Sequence, residues 1–381
     1  MDLYKIVRPA IFKIDPEVDH HLVAAGLKMF NKTPQVLRTM FLTKKRADLK
    51  VTVKGVTFDS PIGIAAGFDK KAEFYNSLGA LGAGFVEIGS ITKNEQPGNE
   101  KKRIFRLPED KAIINRMGLN NLGVETTRKH LANTPKHVKI GISVAPGHGL
   151  NSEEMIDEMV ADIKEIHSFG DYIALNQSCP NQKGVTTLQE APVAKRLLEK
   201  IHNLHIKEPV FCKFGNDITP EQLIELLKET AGLMDGVILT NTASNPSSVH
   251  DNLKSEHRIE GGGLSGKPIF KKSLSLTKSI RENFPDLPIM FSGGVFTPED
   301  AKAALVAGAN LIQVYTGFIY NGPMFLEKIN QYLSAEQVNL SYSAAIADAP
   351  VRDKTNIKIT DIDETKKIEL DANSGASFHA E

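Results

Sequence analysis

Polar side chains stand at the ends of apolar runs along much of this 381-residue chain, and their types define a chemistry. Lys70 and Lys213 each close such a run. A lysine turned inward at a strand end is costly unless an anion or an electron-rich ring meets it. Lys213 suits the stabilisation of negative charge on a reduced ring, and Lys70 suits a carbonyl of substrate or cofactor; a Schiff-base lysine is the competing chemistry. Asparagines gather in the same places: Asn115, Asn120, Asn121, Asn176, Asn181 and Asn241. A carboxamide offers donors and an acceptor together, which matches a planar ring with alternating C=O and N–H groups, such as a pyrimidine. Asparagine is also a common turn residue, which accounts for one or two of these positions. Cys179 lies between Ser178 and Pro180. With a reference pKa of ~8.5, a thiol there accepts a proton far more readily than a serine hydroxyl and is a candidate general base. Cys212 precedes Lys213, so strand alternation turns it into the core if the lysine points inward rather than lying just past the rim.

Glycines supply the second kind of site. Gly293-Gly294 and Tyr315-Thr316-Gly317 can present backbone N–H groups without side-chain obstruction, and the Gly261–Gly266 stretch reads as a flexible cradle beside them. Together they point to a phosphorylated ligand. The histidines form no metal set: His20 and His21 share a helix, His148 stands in a Gly-rich loop, and no spacing joins them to carboxylates. No Gly-x-Gly-x-x-Gly opens a helix, which disfavours a dinucleotide as the tightly held cofactor.

The elements that must position these groups follow from hydrophobic patterning. Short apolar runs span residues 61–68, 85–91, 138–145, 172–178, 210–214, 236–241, 289–294 and 311–317, mostly separated by helical stretches. Thr219-Pro220-Glu221 and Thr297-Pro298-Glu299 are helix starts. Eight buried strands alternating with helices predict an α/β chain closed as a (β/α)₈ TIM barrel, whose chemistry sits at the C-terminal strand ends and whose phosphate site follows strands 7 and 8. Residues 1–45 read as a two-helix extension, with starts at Asp15-Pro16 and Thr33-Pro34 and a closing Lys44-Lys45-Arg46 cluster. Such a unit packs on the main domain or lies on an anionic bilayer. The barrel domain is expected over 46–335, and the polar residues 336–381 as a flexible extension without assignable chemistry.

Composition bounds the rest. The 46 basic and 46 acidic side chains leave no net charge to attract nucleic acid. Two cysteines make no disulfide framework and favour a reducing compartment. No apolar run reaches the ~18 residues of a membrane span.

The motifs, taken in order, resemble those of dihydroorotate dehydrogenases. They are Ala65-Ala66-Gly67-Phe68-Asp69-Lys70, Glu87-Ile88-Gly89-Ser90, Gln96-Pro97-Gly98-Asn99 and Arg103-Ile104-Phe105-Arg106. Asn115-Arg116-Met117-Gly118 with Asn120-Asn121, Ser178-Cys179-Pro180-Asn181, Gly263-Leu264-Ser265-Gly266 and Tyr315-Thr316-Gly317-Phe318 complete the set. The N-terminal helices resemble those of the quinone-reducing class 2 branch, where they contact the bilayer and form the quinone entrance. The resemblance implies oxidation of (S)-dihydroorotate to orotate with FMN and a membrane quinone, at the cytoplasmic side of the inner membrane. It places FMN on Ala66, Gly67, Phe68, Asp69, Lys70, Ser90, Ser143, Asn176, Lys213, Thr240, Gly266, Gly293, Gly294, Tyr315 and Thr316. Orotate falls to Lys70, Asn115, Arg116, Met117, Gly118, Leu119, Asn176, Asn181, Asn241 and Thr242, and the base position to Cys179. Class 2 members usually carry serine there. Ser143 and the Pro146-Gly147-His148-Gly149 loop also depart from the family's asparagine and Gly-Lys-Asn-Lys stretch, and Leu119 from its phenylalanine. An FMN enzyme acting on another cyclic dihydro compound, and a flavin-free phosphate-binding isomerase or aldolase barrel, are the alternatives.

Overall fold

A computed structural model describes residues 3–178, 185–244, 253–254 and 261–338. Its centre is a closed, all-parallel barrel of eight strands: β1 (Ile62–Ile64), β2 (Phe85–Ile91), β3 (Lys139–Val144), β4 (Tyr172–Asn176), β5 (Val210–Phe214), β6 (Gly236–Leu239), β7 (Ile289–Ser292) and β8 (Leu311–Val314). Each pairs with its sequence neighbours, and β8 pairs with β1 to close the ring. The eight strands fall within the eight apolar runs, as the buried-strand reading requires.

Two cores result from strand alternation. Phe85, Tyr172, Phe211, Met290 and Leu311 fill the barrel interior, while Cys212, Val237 and Phe291 face the surrounding helices. Glycine makes room for the large interior rings: a Cβ at Gly141 would lie 2.0 Å from the Tyr172 ring. A hairpin of Val51–Val53 and Val56–Phe58 joins this interior cluster.

Three helices, not two, precede the barrel: α1 (Leu3–Ile11), α2 (Pro16–Phe30) and α3 (Pro34–Met40). The first was hidden by Pro9 within it. Asp15 caps α2 as expected, accepting from the N–H groups of Glu17 and Val18. The unit is anchored to the barrel by polar contacts. Glu17 meets Arg103 at 2.7 Å, Asp19 pairs with Arg106, and the Tyr4 hydroxyl donates to the Ile319 carbonyl at 2.6 Å. The basic cluster after α3 is largely spent on the barrel as well, through Arg46–Glu327 and Lys45–Asp59, each 2.6 Å.

Sequence reasoning missed a three-stranded antiparallel sheet of Ile104–Leu107, Ala112–Asn115 and Gly263–Gly266. Its third strand is the stretch expected to be a flexible cradle. There Gly263 pairs with Asn115 and Gly266 with Ala112, so that Asn115 and Gly266 sit on one rigid platform.

Candidate active site

The C-terminal strand ends and the N-terminal helices enclose one continuous cavity of about 580 Å³. At its floor, β5 points Lys213 inward between two side chains to which the sequence reading gave no role. Lys213 Nζ lies 3.1 Å from Glu87 Oε1 on β2 and 3.2 Å from Gln313 Oε1 on β8. The other Glu87 oxygen accepts from Tyr172 Oη at 3.1 Å and Gln313 Nε2 at 2.6 Å. Burial and the Glu87 charge hold the Tyr172 phenol well above its ordinary pKa, so it remains a donor. A buried cation is thus balanced by a fully hydrogen-bonded carboxylate. The available signal was a carboxylate and an amide inside two otherwise apolar strands.

Above this floor runs a chain of neutral polar groups. Ser143 and Ser90 hydroxyls meet at 2.7 Å, and Asn176 Nδ2 donates to Ser90 Oγ at 2.9 Å. Asn241 Nδ2 reaches Ser178 Oγ at 3.1 Å and Asn176 Oδ1 at 3.4 Å. Ser90, Asn176, Asn241 and Thr242 line the cavity; Ser143 is fully buried behind Ser90 and reaches it only through that hydroxyl. Thr240 is fixed by Asn216 and Ser273 at 3.0 and 2.9 Å.

The opposite wall carries the backbone cradle. Gly266, Gly293 and Gly294 take φ of 107°, 142° and 74°, values that L side chains rarely adopt. A Cβ on Gly294 would stand 2.6 Å from the Gly266 carbonyl oxygen, and one on Gly293 2.4 Å from Ser273 Oγ. Tyr315 and Thr316 complete this wall, with Thr316 Oγ1 held 2.8 Å from Ser265 Oγ. Uncluttered N–H groups and hydroxyls form a donor set for a phosphate monoester.

The segment Asn115–Asn120 forms a rim through Asn115, Met117, Gly118, Leu119 and Asn120. Gly118 and Leu119 have φ of 70° and 51°, and His148 lies 3.2 Å from the Gly118 carbonyl. Asn120 Oδ1 is buried with no hydrogen-bond partner among the described residues. Asn121 serves the fold instead, paired with Gln96 in a short antiparallel ladder and engaged with Thr92 Oγ1 and the Leu119 carbonyl at 2.8 Å each.

Three expected contacts lie off the cavity wall: Ser143, behind Ser90, together with Arg116 and Asp69. Arg116 turns away from the cavity, its guanidinium 5.3 Å from the Phe105 ring centre and bonded to the Lys102 carbonyl. Asp69 is buried beneath the Ala66–Lys70 turn, accepting from the Glu73 and Phe74 N–H groups at 2.9 and 2.8 Å. It shapes the loop without touching the cavity, and burial raises its pKa to about 6. Ala66, Gly67, Phe68 and Lys70 do line the cavity. Burial and the nearby Arg103 charge push Lys70 down to about 8. Cys179 and Asn181 lie outside the described residues.

Towards the helices the cavity becomes apolar, bounded by Val23, Leu27, Phe30, Met40, Phe41 and Phe318. His20 stands where the two halves meet, edge-on to Phe68 at 5.9 Å. Burial and Lys70 lower its pKa to about 4, so it is neutral at pH 7.

A phosphate cradle, a buried cation beneath a ring-sized space and a carboxamide rim together define a (β/α)₈ oxidoreductase of the flavin-mononucleotide kind. Comparison with known proteins narrows this. The family model for dihydroorotate dehydrogenase matches residues 48–336, and the chain belongs to that family. It is 41% identical over 341 residues to a dihydroorotate dehydrogenase (quinone) of Christiangramia forsetii, covering 86% of this chain and 98% of that one. The corresponding protein of Idiomarina loihiensis is 36% identical over 342 residues, covering 87% and 100%. Among solved structures, the Eimeria tenella enzyme in complex with ferulenol superposes with a TM-score of 0.74 at 29% identity, covering 88% of this chain and 96% of that one.

Proposed function

We propose that this chain oxidises (S)-dihydroorotate to orotate in pyrimidine synthesis and passes the electrons to a quinone. The observation that carries the proposal is the single cavity joining a polar barrel mouth to an apolar passage between helices, one end fitted to each half-reaction. FMN fits the donors present, and when bound it supplies the hydride acceptor and the electron relay.

The residues divide the work. Gly266, Gly293, Gly294 and Thr316 would hold the phosphate of FMN, while Ser90, Thr240 and Lys213, which also line the cavity, would stand against its ring. Lys213 brings positive charge to a site where negative charge develops on reduction. Asn115, Asn176 and Asn241 orient the pyrimidine through its alternating C=O and N–H groups, and Lys70 offers its carboxylate a cation. Cys179 removes the C5 proton of dihydroorotate; its position directly after Ser178, whose hydroxyl is already held by Asn241, supports that role.

Residues 1–45 form the quinone-access unit, 46–335 the catalytic barrel and 336–381 a polar extension. No helix among the described residues is long and apolar enough to cross a membrane. Peripheral attachment at the cytoplasmic face of the inner membrane is supported by the distribution of exposed large apolar side chains. Among the described residues, ten of the eleven lie between Ile6 and Leu42, including Leu22 at 62% and Met29 at 77% exposure. The test is dihydroorotate-dependent reduction of a short-chain ubiquinone, compared with NAD⁺ and fumarate as acceptors. Turnover with quinone alone is expected; turnover with NAD⁺ or fumarate alone would overturn the quinone assignment.

A further inference from the structure

A second pocket, of about 720 Å³, opens where α1 crosses the helix Thr316–Asn321 on the outside of the barrel. Its walls carry four cations, Lys5, Arg8, Lys13 and Lys111, and no carboxylate. Arg8 is oriented, donating to the Tyr320 carbonyl at 2.9 Å. The three lysines have no ion-pair partner among the described residues, although the chain balances its charges overall. Of the nearby acids, Asp300 binds Lys267 at 2.7 Å and Asp110 accepts from the Lys254 N–H at 2.8 Å, while the exposed Glu109 flanks the pocket in the sequence without lining it.

The floor of this pocket is aromatic. Phe12 meets Tyr320 edge-on at 5.0 Å, and Phe296 packs on Tyr320 at 5.5 Å. Next to the cations Lys5, Arg8 and Lys13 in the sequence, Ile6, Val7 and Ile14 are 58, 40 and 40% exposed. Unpaired cations over an aromatic floor bind an anion with an apolar body, and exposed aliphatic side chains beside them fit acyl chains better than water.

We propose that this pocket is a binding site for the phosphate headgroup of an anionic phospholipid, fixing the orientation in which the N-terminal helices meet a bilayer. The inference deepens the membrane reading above. The lysines lie outside the catalytic cavity, so their replacement should leave flavin reduction by dihydroorotate unchanged.

The test titrates the holoenzyme with dihexanoylphosphatidylglycerol below its micelle concentration, alongside dihexanoylphosphatidylcholine and inorganic phosphate. Saturable binding of the anionic lipid is expected, lost in a Lys5→Ala/Lys13→Ala/Lys111→Ala variant and kept in Lys164→Ala/Lys195→Ala/Lys228→Ala, which alters helices Ser152–Ile166, Ala191–His202 and Pro220–Glu229. On phosphatidylglycerol vesicles each pocket lysine is worth about fivefold, and the triple variant on the order of a hundredfold. Equal loss in both triple variants, or equal binding of the two lipids, would overturn the proposal. Inorganic phosphate binding as tightly as the anionic lipid would assign the site to free phosphate and overturn it likewise. Neutral phosphatidylcholine vesicles read the apolar face alone, so failure to bind them would count against the membrane reading and leave the pocket to be judged by the soluble lipid.

Discussion

Replacing Lys213 by methionine removes the cation but leaves Glu87 buried in the barrel floor. Two of that carboxylate's donors survive, Tyr172 Oη at 3.1 Å and Gln313 Nε2 at 2.6 Å, so the loss should fall at the lower end of the ~3–5 kcal/mol typical of a broken buried pair. The expected destabilisation is therefore ~3 kcal/mol at pH 7. Adding Glu87→Gln should restore stability to within ~1 kcal/mol of the parent, because the uncompensated charge is gone. Urea unfolding at pH 7, followed by far-ultraviolet circular dichroism with saturating FMN, reads all three proteins. A deficit under ~1 kcal/mol in the single variant, or a double variant no better than the single, would refute the reasoning.

Other expectations are simpler. Cys179→Ala should cut the rate of flavin reduction by roughly 10²–10⁴-fold with FMN still bound, whereas Cys179→Ser should retain activity mainly at higher pH; both are read by anaerobic stopped flow. Lys70, lowered to about 8, loses its charge as pH rises through that value, so kcat/KM for dihydroorotate should fall above pH 8. Lys70→Met should abolish that alkaline limb. Asp162 is raised to about 7 by burial and by Glu158, and its Oδ2 has no hydrogen-bond partner among the described residues. A raised carboxyl weakens the fold increasingly from ~3.9 up to its folded value, so Asp162→Asn should stabilise by ~2 kcal/mol at pH 8 and not at all at pH 3.5, by urea unfolding. Gly294→Ala, forced to place a Cβ 2.6 Å from the Gly266 oxygen, should weaken FMN binding at least ~10-fold by fluorescence titration.

The barrel was legible because a strand buried on both faces must be apolar throughout, as in Phe85–Ile91 and Val210–Phe214, where runs and strands coincide. The expectation that Cys212 joins the outer core if Lys213 points inward rested on the two-residue period of a strand, and both placements are found. What escaped depends on distant pairing. Nothing local to Gly263–Gly266 announces that Asn115 lies across from it, so a glycine-rich strand read as a loop. Glu87, quoted only as part of a family motif, and Gln313 were given no role because their strands were read for hydrophobicity, although a carboxylate in such a run demands a cation in reach. Asp69 and Arg116 were carried over as contacts with motifs whose other residues line the cavity. A turn sends successive side chains in different directions, and here Asp69 serves the backbone and Arg116 lies against Phe105.

The central claim is that this barrel mouth holds a flavin which dihydroorotate reduces and quinone reoxidises. The anaerobic absorbance spectrum of the purified protein addresses it directly. A band near the flavin maximum that bleaches within one enzyme equivalent of dihydroorotate, and returns on addition of a short-chain ubiquinone, is the predicted result. A yellow protein left unbleached by excess dihydroorotate, or a colourless one releasing no FMN on denaturation, would contradict it.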